Sequence, residues 1–226
     1  MIGNLSGLEN TLRYRFREPG LLQQALTHRS AGSRNNERLE FLGDAILNML
    51  IAEALFSRYP DLEEGDLSRA RASLVNQDAL AELAGELQIG NCLTLGPGEM
   101  KSGGHRRASI LADTLEAIVG ALYLDAGFET VRATVRQLFG TRLDKPLLLD
   151  ELKDAKTRLQ EWAQARNRAL PVYVVESVSG EPHRQIFRVT CTLDQDGVSA
   201  SGEASSRRAA EQEAARQVLE TVVHEQ

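Results

Sequence analysis

The stretch from Asn36 to Asp44, Asn-Glu-Arg-Leu-Glu-Phe-Leu-Gly-Asp, runs directly into the apolar residues 45–52, Ala-Ile-Leu-Asn-Met-Leu-Ile-Ala. This pattern predicts a helix that is buried on most of its circumference. Glu37, Glu40 and Asp44 are spaced three and four residues apart, so a helix places their carboxylates in one stripe. Because stacked carboxylates repel one another and are costly to bury unpaired, the stripe needs a cation. The alternative is a set of first-turn acids with Asn36 as N-cap, which leaves Asp44 unexplained.

A second apolar helix is predicted over residues 109–124, with Ser109 as its N-cap. Asp113 and Glu116 lie three residues apart and therefore share one face of this helix. If the two apolar helices pack together, four carboxylates surround a small space: Glu40, Asp44, Asp113 and Glu116. A hard divalent cation, with Mg²⁺ the usual one beside phosphate, suits such an all-oxygen cluster. The alternative is neutralisation by Arg38, Arg106 or Arg107.

Composition and charge exclude several classes of protein. The 226 residues include no apolar run long enough to span a membrane, and no export signal is visible, so we expect a cytoplasmic protein without a membrane partner. Two cysteines are too few for a disulfide framework or a zinc site. A net charge of −6 argues against nucleic-acid binding, but cations bound at the carboxylate cluster would reverse the local sign.

The pattern of predicted elements changes partway along the chain. Helical periodicity predominates up to about residue 139, and residues 96–107 form a predicted loop whose three cations either face phosphate or are simply solvated. Beyond a predicted linker at residues 146–153, strand-like alternation follows a helix and precedes another, in the order α-β-β-β-α. The fold class is therefore α+β, with an all-α domain at residues 1–145 and a small second domain at residues 154–226.

Two arginines stand at an unusual position in the second domain. Arg207 and Arg208 occupy the first turn of the last predicted helix, where the helix dipole disfavours cations. Free backbone N–H groups at the same end favour an anion. The pair is either a phosphate contact or an ordinary solvated basic pair.

The two acidic motifs carry a family resemblance. Residues 36–44 resemble the signature motif of the ribonuclease III family, and residues 112–117 resemble its second acidic motif. Residues 26–30, 64–68 and 96–99 extend the resemblance, which covers essentially the entire chain. It implies a Mg²⁺-dependent endonuclease of double-stranded RNA, with Mn²⁺ as a possible substitute and no small-molecule cofactor. Cleavage would leave 5′-phosphate and 3′-hydroxyl ends during processing of ribosomal and messenger RNA precursors.

The resemblance also implies roles for individual residues. Glu40, Asp44, Asp113 and Glu116 would bind metal; among them, Glu116 would be the indispensable ligand and Asp44 would position water. Glu37 would lie at the rim and support RNA rather than metal, and Glu64 would lie near the partner's site in a homodimer. Phe41 would belong to the dimer contact, and its alternative role is plain core packing.

The second domain resembles the double-stranded RNA-binding domain. By position, Thr157, Gln160 and Glu161 would face one minor groove, His183 would enter the next, and Arg207 and Arg208 would hold phosphates. Glu211 and Ala204 depart from the commonest pattern, which has lysine and glycine there. Two other functions compete with this one: a non-cleaving RNA-binding regulator on the same fold, and a metal-dependent phosphohydrolase of small nucleotides.

Overall fold

The structure, a computed structural model, describes residues 5–144, 153–181, 184–193 and 197–224. The chain divides into two compact units, residues 1–147 and 148–226. The predicted linker at residues 146–153 lies outside the described residues apart from Lys153, so its bounds stay a prediction. Among the described helices, none combines the length and apolar content needed to cross a bilayer.

The first unit is helical throughout its described part, as predicted. Its only β-type pairing there is a single bridge between Thr27 and Thr94. The α-helices are α1 (Leu5–Leu12), α2 (Pro19–Ala25), α3 (Glu37–Arg58), α4 (Glu64–Val75), α5 (Gln77–Glu86), α6 (Pro97–Lys101), α7 (Ala108–Ala126) and α8 (Phe128–Asp144). Short 3₁₀ turns lie at Ile89–Cys92 and Gly104–Arg106.

The core of this unit is built around α7. Apolar residues occupy nearly every position of this helix from Ile110 to Leu122, and most of them are buried. A helix that is apolar on all sides must be surrounded by other elements. The surrounding elements are α2, α3, α5 and α8, with α3 making the most extensive contact. The two helices predicted to carry the acids therefore pack directly against each other.

Two glycines let α3 and α7 cross at backbone distance. A Cβ atom placed on Gly43 would lie 2.6 Å from the carbonyl carbon of Glu116, and one on Gly120 would lie 3.1 Å from the carbonyl carbon of Leu39. Real Cβ atoms do not approach carbonyl groups so closely, so only glycine fits at either position. Because Gly43 immediately precedes Asp44, this crossing brings the acidic part of α3 against the acidic part of α7.

The ends of these helices differ from the sequence predictions in three places. Asn36 is the N-cap of α3 by position, but its side chain makes no capping hydrogen bond, and the Glu37 N–H donates to Asn35 Oδ1 at 3.1 Å. Ser109 was predicted to cap α7, but the N-cap is Arg107. The predicted loop at residues 96–107 contains α6 and a 3₁₀ turn, because Pro97 is well suited to the first turn of a helix.

The second unit has the predicted α-β-β-β-α order. Its elements are α9 (Ala155–Ala165), β1 (Val172–Ser179), β2 (Ile186–Leu193), β3 (Val198–Ala204) and α10 (Arg207–His224). The strands form an antiparallel sheet in the order β1-β2-β3, with an irregularity in β1 between Val175 and Ser177. The core contains Leu159, Cys191 and Val218, all fully buried. The prediction that Cys191 is a small core residue is confirmed.

Candidate functional sites

Three of the four predicted carboxylates converge where α3 crosses α7. One oxygen each from Glu40, Asp113 and Glu116 can be chosen so that all three oxygens lie within 4.8 Å of one another. Each residue is half-buried. Glu40 comes from the first turn of α3, whereas Asp113 and Glu116 lie one turn apart on α7. The close approach at Gly43 and Gly120 makes this spacing possible.

Asp44 lies beside this cluster but is not part of it. Its Oδ1 accepts a hydrogen bond from Asn48 Nδ2 at 2.7 Å, and its backbone carbonyl accepts another from the same amide at 3.0 Å. Its negative charge nevertheless acts on Glu116. Sequence spacing placed all four acids on facing stripes, but it could not distinguish this flanking position from the other three.

The cluster is electrostatically strained without a cation. Burial, reinforced by the charges of Asp44, Asp113 and Glu40, raises the pKa of Glu116 to about 8. Burial also raises the pKa of Glu40, with contributions from Asp113 and Glu37. The pKa of Asp113 is raised by burial as well, although nearby His28 and Arg29 partly oppose the rise. Without metal, the cluster therefore retains a proton at neutral pH.

Arginine pairing does not neutralise these acids. In the described part of the chain, no ion pair joins a basic side chain to Glu40, Asp44, Asp113 or Glu116. The nearby arginines have other partners: Arg107 pairs with Glu99 at 2.9 Å, and Arg29 lies 3.6 Å from Glu37. The alternative of neutralisation by Arg38, Arg106 or Arg107 is therefore wrong. Half-buried carboxylate oxygens with no basic partner are a donor set that fits a hard divalent cation.

A cleft of about 290 Å³ opens beside the cluster, and His28 lines it together with Arg29, Arg107, Glu40 and Asp113. Residues 26–30 were part of the family resemblance, but reasoning from residue types gave His28 no role. Ser30 Oγ accepts a hydrogen bond from the Gly96 N–H at 2.9 Å and lies 2.8 Å from His28 Nδ1. The Ser30 N–H also donates to His28 Nδ1, at 3.2 Å. Because Nδ1 accepts the Ser30 N–H in this network, we assign a ring N–H to Nε2.

The predicted supporting residues lie at two places. Glu37 is at the rim of the cleft, half-exposed beside Arg29. Glu64 begins α4, accepts a hydrogen bond from Ser68 Oγ at 2.7 Å and borders an apolar groove between α3 and α4. Phe41 is 82% exposed, so the alternative that it packs in the core is wrong.

The second unit carries its described predicted contact residues on its two helices, with Thr157 in the first turn of α9, Gln160 and Glu161 in its middle, and Arg207 and Arg208 at the start of α10. Gln160 and Glu161 are exposed on α9, Glu161 pairs with Lys153 at 2.7 Å, and Thr157 lies near the N-cap residue Asp154. Arg207 and Arg208 are exposed in the first turn of α10, as expected. His183 lies outside the described residues.

Comparison with protein families assigns both units. A ribonuclease-III-like family model matches residues 18–143, and a double-stranded RNA binding motif matches residues 155–222. The chain belongs to the ribonuclease III family. Within it, the chain is 56% identical over 219 residues to the ribonuclease 3 of Hahella chejuensis, covering 97% of each chain. It is 57% identical over 212 residues to that of Alkalilimnicola ehrlichii, covering 94% of this chain and 93% of the relative.

Solved structures of a family member resemble the first unit. The crystal structure of the nuclease domain of Campylobacter jejuni ribonuclease III is 43% identical, with a TM-score of 0.61, and the match covers 63% of this chain and 98% of that one. A second structure of the same domain is 45% identical, with a TM-score of 0.60 over 61% of this chain and 97% of that one. It is described as showing structural flexibility in a region involved in dimer formation.

Proposed function

We propose that this member of the ribonuclease III family hydrolyses phosphodiester bonds in double-stranded RNA at a metal centre formed by Glu40, Asp113 and Glu116. One observation carries the proposal: three carboxylates from two crossing helices converge with no basic partner in the described part of the chain. Family membership and the double-stranded RNA binding motif support the substrate class. We place its targets among ribosomal and messenger RNA precursors in the cytoplasm.

The residues of the centre have separate tasks. A bound divalent cation lowers the pKa of water and stabilises negative charge on phosphate oxygens. Glu40, Asp113 and Glu116 would hold such a cation, and Glu116 would be deprotonated when it does so. Asn48 fixes Asp44 through Oδ1, so that the other carboxylate oxygen can orient the attacking water. We expect the Nε2–H of His28 to donate a hydrogen bond to a phosphate oxygen of RNA bound in the cleft.

We propose Mg²⁺ as the cation, with Mn²⁺ as a substitute. The proposed ligand set consists of carboxylate oxygens, which both ions accept. Mg²⁺ commonly binds through one or two carboxylates together with substrate phosphates, which matches a small carboxylate cluster beside an open cleft. Breaking the P–O3′ bond leaves a 5′-phosphate and a 3′-hydroxyl.

We also propose that the active form is a homodimer. Phe41 and Phe56 are 82% and 72% exposed, and Phe56 lines the apolar groove of about 480 Å³ together with Met49 and Leu67. Apolar surface of this kind marks an interaction site, and an isologous dimer would cover it.

Phe41→Ser should shift the protein toward monomers in sedimentation experiments. Leu124→Ser, which changes another exposed apolar side chain, should not. An unchanged dimer in Phe41→Ser would contradict this assignment.

In the second unit, Thr157, Gln160, Glu161, Arg207 and Arg208 are proposed to contact the RNA duplex. The exposure of Gln160, Glu161, Arg207 and Arg208 supports this assignment, and Thr157 is partly exposed. His183 is proposed to do the same from the loop between β1 and β2.

The decisive test is cleavage of a long labelled RNA duplex in Mg²⁺. Wild type should produce short duplexes, and EDTA should stop the reaction. Glu116→Gln should bind the duplex but cut it at least about 100-fold more slowly, because a charged ligand is lost at the reacting phosphate. Glu129→Gln, which removes an exposed charge from α8, should cut normally. Binding by wild type without cutting in Mg²⁺ or Mn²⁺ would favour the non-cleaving regulator.

A further inference from the structure

Glu211 is a buried carboxylate that binds two cations at once. It is 9% exposed and accepts hydrogen bonds from Lys156 Nζ at 2.6 Å and from Arg207 Nε at 2.9 Å. The hydrogen bond from Lys156 is the main reason that the pKa of Glu211 is lowered, despite burial that acts in the opposite direction. The carboxylate is therefore ionised whenever the protein is near neutral pH.

Of the two cations, Arg207 is itself a proposed RNA contact, and Lys156 immediately precedes the proposed contact Thr157. Lys156 is the second residue of α9, and Arg207 is the first residue of α10. The Lys156 ammonium also lies 4.3 Å from the centre of the Tyr173 ring, which keeps it close to Glu211. Glu211 thus links the starts of the two helices whose exposed residues form the proposed RNA-binding surface.

We propose that Glu211 is an internal counterion that occupies Lys156 and Arg207 and thereby weakens the binding of duplex RNA. The inference rests on the proposed function of this unit. A carboxylate and a phosphate compete for the same N–H donors. A cation that is already neutralised within the protein also contributes less to phosphate neutralisation and counterion release.

The neighbouring arginine provides an internal comparison. In the described residues Arg208 forms no ion pair, whereas Arg207, 65% exposed by side chain, is held by Glu211. The two arginines are adjacent in the same first turn, but Arg207 is held by a carboxylate at 2.9 Å, whereas the charge of Arg208 acts on Asp154 without an ion pair among the described residues. Glu211 therefore reduces sequence-independent binding to RNA phosphates. Such binding does not distinguish cleaved products from intact substrate.

The test measures binding without cleavage. Full-length wild type, Glu211→Gln and Glu213→Gln are titrated in EDTA against a labelled RNA duplex of about 40 base pairs, at salt concentrations between about 50 and 200 mM. Glu213 is the matched control because it lies on the same helix and pairs with Arg216 at 2.6 Å, away from Lys156 and Arg207. Glu211→Gln should bind about three- to tenfold more tightly at low salt, and its log–log salt slope should steepen by about one.

A structural role for Glu211 would produce a different result. Equal or weaker binding by folded Glu211→Gln, with an unchanged salt slope, would overturn the proposal. A second comparison avoids changing the buried carboxylate: Arg208→Gln should weaken binding more than Arg207→Gln, because only Arg207 is already neutralised. Equal losses for the two arginine variants would also refute the proposal. Since none of these measurements needs cleavage, they are independent of whether the metal centre acts as proposed.

Discussion

Gly43→Ala tests whether the crossing of α3 and α7 sets the spacing of the carboxylates. The added methyl group would lie 2.6 Å from the carbonyl carbon of Glu116 and 3.0 Å from the backbone nitrogen of Gly120. Carbon atoms in contact are normally about 3.5–4.0 Å apart, so the two helices must separate by roughly 1 Å. Glu40 and Asp44 lie on one side of this contact and Glu116 on the other. The separation therefore widens the metal centre itself.

The expected effects on stability and on rate can be estimated separately. Overpacking costs about 1–3 kcal/mol, and the better helix propensity of alanine recovers up to about 1 kcal/mol. We expect the free energy of unfolding, measured by thermal denaturation, to fall by about 1–2 kcal/mol. A displacement of about 1 Å at a reacting centre can reduce the rate about 100-fold. Single-turnover cleavage should fall by about this factor at a temperature where circular dichroism shows both proteins fully folded.

Gly140→Ala is the matched control for this experiment. Gly140 also lies inside a helix, but no atom lies within 4 Å of the added methyl group. This variant should gain about 0.5–1 kcal/mol in stability and cleave at the wild-type rate. If Gly43→Ala also melts and cleaves like wild type, the glycine crossing does not determine the geometry of the centre.

Two further predictions concern stability. Without metal, Glu116→Gln should be more stable than wild type at pH 8.5 and equally stable near pH 4. The folded protein raises the pKa of Glu116 from 4.5 to about 8, so wild type loses stability as the pH rises between these two values. The full pKa shift corresponds to roughly 5 kcal/mol in the free energy of unfolding, and solvent screening at this half-exposed site reduces the expected difference to about 1–2 kcal/mol, measured by urea unfolding. If wild type is the more stable protein at pH 8.5 in EDTA, the assignment is wrong. Asn76 is the N-cap of α5, and its side chain accepts a hydrogen bond from the Ala79 N–H at 2.9 Å. Asn76→Ala should therefore lower the free energy of unfolding by about 1 kcal/mol. An unchanged melting temperature would show that the cap does not contribute to stability.

Local sequence patterns predicted the helices and strands well. The predicted helix at residues 36–52 lies almost wholly within α3, and the strand-like alternation predicted beyond the linker is found as three strands. Helix starts were less predictable. Ser109 has a side chain suited to capping, yet α7 begins one residue earlier, at Ala108, because the preceding 3₁₀ turn sets where the helix can start.

The candidate site was only partly predictable, because side-chain spacing shows the face of a helix but not its distance from another helix. The spacing of Glu40, Asp113 and Glu116 indicated which face of each helix carries acid, but not how close the two faces come. Likewise, Glu211 could be recognised as an unusual residue, but its two partners come from separate helices.

Apolar periodicity and side-chain spacing are local properties of the chain, so the sequence indicated the secondary structure, the order of the two folded units and the presence of two acidic helix faces. The folded structure was needed to show that three carboxylates meet while Asp44 lies beside them, that no arginine of the described residues forms an ion pair with them, and that burial raises the pKa of Glu116 to about 8. These properties depend on distances between residues far apart in the chain, which the contact of Gly43 with α7 sets.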